Sequence, residues 1–265
     1  MIKQIIKKLF LNKVFTVFNG TLKGVKLRLT NELKGTFLFK NYEYEKQLVF
    51  TLLIQPQDVF FDVGANIGLH SYYVQKNIRD VNIIAFEPLQ NNVTYIKETI
   101  ANNKFTNIKV ENTALGNQLG TIYFDVQHNN SVGNITTTNT GIEVNITTLD
   151  KYTNDNNIYP NVLKIDVEGA EGDVLNGGKY FIEKIQPILI IELHSPAQDL
   201  LVAQFLTDRG YQIYRLNEGQ ITATNKLLQI IKKPNASWPD MDGVYGSIVG
   251  IPTHKMNDSI KSNIS

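Results

Sequence analysis

The run Phe60-Phe61-Asp62-Val63-Gly64-Ala65-Asn66-Ile67-Gly68 carries an apolar strand to an acid and then into a glycine-bearing turn that opens a helix. Such a turn lets backbone N–H groups approach a ligand at the helix N-terminus with no side chain in the way. It departs from the dinucleotide fingerprint Gly-x-Gly-x-x-Gly, because Asn66 stands between glycines at 64 and 68, and no Gly-Lys-Ser/Thr follows to make a phosphate loop. An acid at the strand end suits an ammonium group better than a pyrophosphate. Glu87 closes the next apolar run, Ala85-Phe86-Glu87-Pro88. In a doubly wound sheet an acid at this place accepts hydrogen bonds from both ribose hydroxyls of a nucleoside. Two strand-end acids around a glycine turn describe a pocket for a nucleoside that bears an amino acid and no phosphate. That ligand is S-adenosylmethionine.

Outward from this motif, short apolar runs alternate with amphipathic segments, as in a parallel sheet covered on both faces. Strands are expected at 58–63, 81–86, 107–112, 161–167, 187–193, 211–216 and 246–251, with helices at 67–77, 90–103, 172–185 and 197–208. The expected fold is α/β: a doubly wound, mostly parallel, seven-stranded sheet with helices on both faces. Two alternating segments, 120–126 and 142–149, flank the polar stretch His128 to Gly141 and read as an inserted hairpin or an edge extension. Residues 1–42 read as an N-terminal extension, 43–252 as the cofactor-binding domain and 253–265 as a polar tail. Within the extension, Ile2, Ile5, Ile6, Leu9 and Phe10 recur at helical spacing among lysines, and Thr21 to Thr30 alternates like a strand. That basic helix either packs on its own domain or makes weak contact with a membrane surface. Tyr44 to Ile54 reads as a further helix.

Composition narrows the classes of function. The 265 residues are 42% hydrophobic and 19% charged, and 26 Lys and Arg face 25 Asp and Glu, a net charge of +1. No global field is available to attract nucleic acid, and none is expected as a partner. Cysteine is absent, which removes thiolate metal sites and Cys nucleophiles. No stretch reaches the ~18 apolar residues of a membrane span, and the first residues lack a cleavage site, so a cytoplasmic protein without stable membrane insertion is expected. Asparagine is unusually abundant, with 29 residues. The sequence does not fix the oligomeric state.

A second constellation is Lys164-Ile165-Asp166-Val167-Glu168-Gly169-Ala170-Glu171. On a strand, residues 164, 166 and 168 share a face, which brings two carboxylates and an ammonium to the sheet edge. Asp166 can orient an acceptor hydroxyl or remove its proton. Glu168 can do the same or cap the next helix, and Glu171 suits that helix's dipole. Glu192 and His194 sit two apart at the end of the following apolar run, and His194 is a candidate base. Asp166, Glu192 and His194 are chemically reasonable ligands for magnesium or manganese, but no tight ligand spacing marks a site, and no metal ligand is assigned. Tyr211, Tyr214, Trp238 and Tyr245 either line an acceptor cleft or belong to the core.

These motifs in this order resemble the FkbM family of class I S-adenosylmethionine-dependent methyltransferases. The resemblance rests on DVGANIG at 62–68, AFEP at 85–88, NTALG at 112–116, TLD at 148–150, LKIDVEGAE at 163–171 and PILIIELH at 187–194, and spans about residues 43 to 251. It implies that Asp62 and Gly64, in the motif that also holds Asn66 and Gly68, bind the methionine end of the cofactor. Glu87 would take the ribose, Asn112, Thr113 and Ala114 would lie beside the adenine, and Asp166 would stand by the sulfonium. Asp166, Glu168, Glu192 and His194 are the candidate catalytic residues. The implied reaction is O-methylation of a hydroxyl on a sugar, glycan or natural-product acceptor. The alternatives are an N acceptor, a nucleic acid, or a non-catalytic cofactor-binding module.

Overall fold

The computed structural model describes residues 12–30, 42–125, 134–136, 141–217 and 226–265. Strands β1 (Val14–Thr16) and β2 (Lys26–Arg28) pair antiparallel and precede helix α1 (Tyr44–Leu53). Strands and helices then alternate as β3 (Val59–Val63), α2 (Leu69–Asn77), β4 (Asn82–Phe86), α3 (Gln90–Asn103) and β5 (Ile108–Glu111). The middle of the chain adds β6 (Ala114–Leu115), β7 (Gly120–Asp125), β8 (Asn134–Thr136), β9 (Ile142–Thr147) and α4 (Leu149–Asn156). Next come β10 (Val162–Ile165), α5 (Glu171–Gly177), α6 (Lys179–Ile185), β11 (Ile188–Glu192), α7 (Pro196–Thr207) and β12 (Tyr211–Leu216). Strands β13 (Leu228–Ile230) and β14 (Ser247–Pro252), a 3-10 turn (Thr253–Lys255) and helix α8 (Asp258–Ser262) complete the described elements.

The main sheet runs β13-β12-β14-β11-β10-β3-β4-β5. From β5 to β11 all neighbours are parallel, whereas β14 is antiparallel to both β11 and β12. Chain order reverses between β3 and β10, so a crevice opens outside the carboxyl ends of these two strands, where doubly wound sheets bind ligands. All seven expected strands are present within a residue or two, and β13 adds an eighth at the edge. Alternation along the strands divides the core. Phe60, Ile83, Ala85, Val162, Ile188 and Ile190 face one layer, with α1, α2 and the β1–β2 pair. Phe61, Val63, Ile84, Phe86, Leu163, Ile165, Leu189 and Ile191 face the other, with α4 to α7.

Several expectations are corrected. The strand read over Thr21 to Thr30 shrinks to β2, because residues 21–24 form a turn in which Val25 N–H donates to Leu22 O and Gly24 takes φ +91°. The helix read over 172–185 is two helices meeting at Gly178, where a Cβ would press within 2.8 Å of Leu149. Helix α4 was not read from the sequence; Thr148 caps it by accepting the Lys151 N–H. The two alternating segments do pair antiparallel, as β7 and β9, but within a separate four-stranded sheet ordered β6-β9-β7-β8, and the second ends at Thr147. Residues 253–265 are a folded element rather than a tail. Ile260 is 2% exposed in the core beside α1, and the last residues bond to β13 through Leu228 N–H to Asn263 O and Ser265 N–H to Leu228 O. The basic helix read near residues 2–10 and most of His128 to Gly141 lie outside the described residues. Among the described residues no helix is long and apolar enough to cross a membrane.

Because Ile260 is core, Ile260→Ala is expected to lower unfolding stability by about 2–5 kcal/mol, the usual range for a buried Ile to Ala change. Urea denaturation checks it; a loss within 0.5 kcal/mol, about that of a surface substitution, would show that the segment is dispensable.

Candidate active site

A cavity opens at the carboxyl ends of β3, β4 and β10. The turn after β3 gives it Gly64 and Asn66, the turn after β4 gives Glu87 and Leu89, and the segment around β6 gives Thr113, Ala114 and Leu115. Phe124 comes from β7, and Asp166, Val167, Glu168 and Ala170 come from the loop after β10. One end is thus apolar and aromatic, and the other is acidic.

The glycine turn is shaped by close approach. Gly64 takes φ +71°, and a Cβ there would lie 1.9 Å from the Asp166 carbonyl oxygen, so only glycine lets the turn and the loop after β10 touch. Asn66 is also left-handed, at φ +52°, a conformation asparagine tolerates better than most residues. Its N–H donates to Glu87 Oε2 at 2.8 Å, while Glu87 Oε1 accepts from Leu89 N–H at 2.9 Å and Asn92 Nδ2 at 3.2 Å. Glu87 is 4% exposed, and burial pushes its carboxyl up to about 7 against the pull of those donors. Asn112 Nδ2 donates to the Glu87 and Pro88 carbonyls, so it shapes the turn, while its neighbours Thr113 and Ala114 line the cavity.

Asp62 lies elsewhere than expected. It shares Phe60's face of β3 and is fully buried beneath α2, where Ser71 Oγ donates to its Oδ2 at 2.7 Å and Lys164 Nζ lies 3.3 Å from its Oδ1. It does not line the cavity. Nor does Gly68, which starts α2 at φ +83°. Lys164, 3% exposed, donates to the Gly64 carbonyl at 2.8 Å and lies 3.4 Å from Asp166 Oδ2. Burial alone would lower the Lys164 pKa, but Asp166 and Asp62 raise it and keep the ammonium charged. Burial likewise opposes ionisation of Asp166, and the nearby Lys164, Lys46, His70 and His194 outweigh it and hold the carboxyl below its ordinary value.

Strand β10 ends at Ile165, so residues 164, 166 and 168 do not share a strand face; Glu168 and Gly169 turn through φ +53° and +101°. The carboxylates still converge. His194 Nε2 stands 3.6 Å from Asp166 Oδ1 and 3.5 Å from Glu168 Oε2. Its Nδ1 is 2.8 Å from Glu171 Oε1, which also accepts the Gly169 N–H. The Glu171 hydrogen bond is the main cause that lifts His194 to about 9, so the ring is an imidazolium at neutral pH. Glu171, fully buried at the start of α5, thus acts on His194 as well as on the helix dipole.

Helix α1 braces Glu192 from behind, a support that sequence reasoning missed. Lys46 bonds Glu192 and lies 2.6 Å from Glu43, which also meets His70 Nε2 at 3.1 Å. Glu192 and His194 lie beside the cavity rather than in its lining. Asp166, Glu192 and His194 each offer a ligand atom within 4.8 Å of the others. Lys164, Lys46 and Glu171 already partner them, and a divalent cation would have to compete with two ammonium groups. Tyr211 and Tyr214 are core residues, each 6% exposed, whereas Trp238 is 55% exposed.

Residues 62–213, more than half of the chain, match the family described as the methyltransferase FkbM domain. The chain belongs to this family. A hexuronic acid methyltransferase, AglP, from Haloferax volcanii is 27% identical over 183 residues, which cover 66% of this chain and 74% of that protein. Methyltransferase 1 from Beauveria bassiana is 22% identical over 206 residues, covering 68% and 83%. The crystal structure of methyltransferase FkbM from Methylobacillus flagellatus superimposes with a TM-score of 0.49 at 18% identity, covering 73% of this chain and 43% of that one.

Lys164→Met is expected to lower stability by about 3–5 kcal/mol, because it leaves Asp62 as a buried charge with only the Ser71 hydroxyl. Chemical denaturation measures this; a loss below about 1 kcal/mol would show that the ion pair does not hold the turn.

Proposed function

We propose that the protein is an S-adenosylmethionine-dependent O-methyltransferase acting on a hydroxyl of a sugar or glycan. The observation that carries this reading is the cavity itself, with a glycine turn, a buried carboxylate at the end of β4, an apolar end and two carboxylates opposite. These residues fit the cofactor. Glu87 would accept the ribose hydroxyls, the Gly64–Asn66 turn leaves room for the methionine part, and Ala114, Leu115 and Phe124 offer an apolar and aromatic bed for adenine. When bound, S-adenosylmethionine supplies the methyl group as a sulfonium. Asp62 supports the site from beneath, through Lys164, without touching the ligand.

Asp166 and Glu168 line the cavity, and Glu192 and His194 stand beside it. Of the four, Asp166 combines exposure to the cavity with a carboxyl held in its ionised form. It accepts the acceptor's hydroxyl hydrogen bond, aims the oxygen, and takes the proton as the new carbon–oxygen bond makes that hydroxyl acidic. A weak base suffices at that moment. His194, charged at neutral pH and anchored by Glu171, balances Asp166 and Glu168. The sugar class of acceptor is supported by the FkbM relationship and by the relative named for a hexuronic acid.

The direct test incubates the protein with S-adenosylmethionine and panels of glycosides, glycans, peptides and oligonucleotides, with mass spectrometry reading a gain of one CH2. Gain on a sugar oxygen is expected; gain on peptide nitrogen or on nucleic acid alone would replace this reading. Asp166→Asn is expected to cut turnover by about 10²–10⁴ while sparing cofactor affinity, and an unchanged rate would remove Asp166 as proton acceptor. Glu87 binds ribose best when ionised and titrates at about 7, so calorimetric affinity for S-adenosylmethionine should level off above that pH and fall below it. A flat affinity from pH 5.5 to 8.5, or one that persists in Glu87→Ala, would show that Glu87 does not hold the ribose.

A further inference from the structure

The loop between β13 and β14 carries a feature that the methyl-transfer site does not use. Trp238 is 55% and Met241 62% exposed, and Tyr245 is half-buried between them and the sheet. Trp238 and Tyr245 meet edge to face with ring centroids 5.5 Å apart, and the Tyr245 hydroxyl points to Met241 Sδ at 3.7 Å. Large apolar side chains grouped on a surface loop cost solvation unless something covers them.

The loop is held rigid. The Arg215 guanidinium stacks 3.7 Å over the Tyr245 ring, donates to the Met241 carbonyl at 3.1 Å and bonds the Gly243 carbonyl. Val244 N–H donates to Ala236 O at 2.7 Å, and Lys233 N–H to Asp242 O at 3.0 Å. The platform is therefore formed before anything binds, which lowers the cost of binding.

It also adjoins the acceptor side of the active site. Gly246 O accepts the Leu193 N–H at 3.1 Å, and Ser247 pairs with Glu192 across β14 and β11. Asp199, in the first turn of α7 just beyond His194, accepts the Trp238 N–H. The groove beside Tyr245 continues over Arg215, Asn217 and Gln229, whose polar groups border the aromatic surface. Lys232 and Lys233 are paired with Asp242 and Asp240, so the loop's charges are balanced internally. A flat aromatic surface bordered by amide groups, whose one cation, the Arg215 guanidinium, is stacked on Tyr245 and spent on the Met241 and Gly243 carbonyls, suits a ring with one apolar face and a hydroxylated edge.

We infer that the Trp238–Met241–Tyr245 platform is a second sugar subsite, which holds the ring of a neutral glycan next to the one that receives the methyl group. The inference rests on the glycan-acceptor reading of the adjoining site. It implies an acceptor of at least two sugar residues.

Trp238 is the single tryptophan of the chain, so its emission reports this platform alone. The test titrates the full-length protein with cellobiose, maltose and chitobiose and with the corresponding methyl monoglycosides. A saturable blue shift or quench with at least one disaccharide is expected, with affinity at least about tenfold above that of its monoglycoside. Once an acceptor is in hand, Trp238→Ala should raise the KM for oligosaccharide about tenfold, with kcat and the KM for S-adenosylmethionine unchanged, and Trp238→Phe should restore most of the loss. Emission unmoved by all the sugars overturns the proposal. So does a shift that instead follows protein concentration, as for a second copy of the chain, or the addition of phosphatidylglycerol vesicles. Calorimetric binding of S-adenosylmethionine, measured on the same sample, separates failure of the subsite from failure of the methyltransferase reading.

Discussion

Lys164 carries an ammonium into the face of the sheet covered by α1 and α2, where water cannot neutralise it. Taking such a charge out of water costs several kcal/mol, and Asp62, Asp166 and the Gly64 carbonyl together offset that cost. The ligand-facing geometry depends on the arrangement. Asp62 fixes one end of the ion pair on β3, the Gly64 carbonyl ties it to the glycine turn, and Asp166 brings in the loop after β10. The contact that forbids a Cβ at Gly64 is between the same two segments. The glycine turn and the Asp166 carboxylate, the two groups proposed to face cofactor and acceptor, are thus positioned by one buried cation.

A second charged layer extends from it. Lys46 joins Glu43 to Glu192, and Glu171 joins the start of α5 to His194. Carboxylates outnumber cations along this edge, which suits a site for a sulfonium and a hydroxyl. Each cation already has a carboxylate partner, which is why the nearness of Asp166, Glu192 and His194 does not in itself make a metal centre. The aromatic platform of the β13–β14 loop stands at the end of the same edge, where the charges give way to rings.

The main strands were legible because both faces of a parallel sheet are buried, so β3, β4, β10 and β11 appear as apolar runs. Glu87 was legible at the sheet edge because it follows such a run, whereas Thr113 and Ala114, which also line the cavity, were reached only through the family resemblance. Asp62 was not, since a strand-end acid reads the same whether it faces a ligand or the next helix; only the shared parity with Phe60 hinted at α2. Phe124 and Lys46 carry no local signal, because tertiary packing alone brings Phe124 from a separate sheet to the cavity and Lys46 from a helix before β3 to Glu192 beside it. The asparagine excess, a bare compositional fact in the sequence, gains part of an explanation. Asn66 and Asn157 occupy left-handed turns, Asn92 and Asn112 brace the Glu87 turn, Asn103 clamps β2 by accepting the Lys26 N–H and donating to the Lys26 carbonyl, and Asn257 caps α8.

In the proposed function the crevice outside β3, β4 and β10 binds S-adenosylmethionine with its reacting end toward Asp166. A crystal structure with S-adenosylhomocysteine tests it most directly. Both ribose hydroxyls are expected on the Glu87 carboxylate, adenine against Ala114, Leu115 and Phe124, and the sulfur on the Asp166 side of the cavity. A nucleoside bound elsewhere, or bound there with Glu87 contacting only protein, would contradict it.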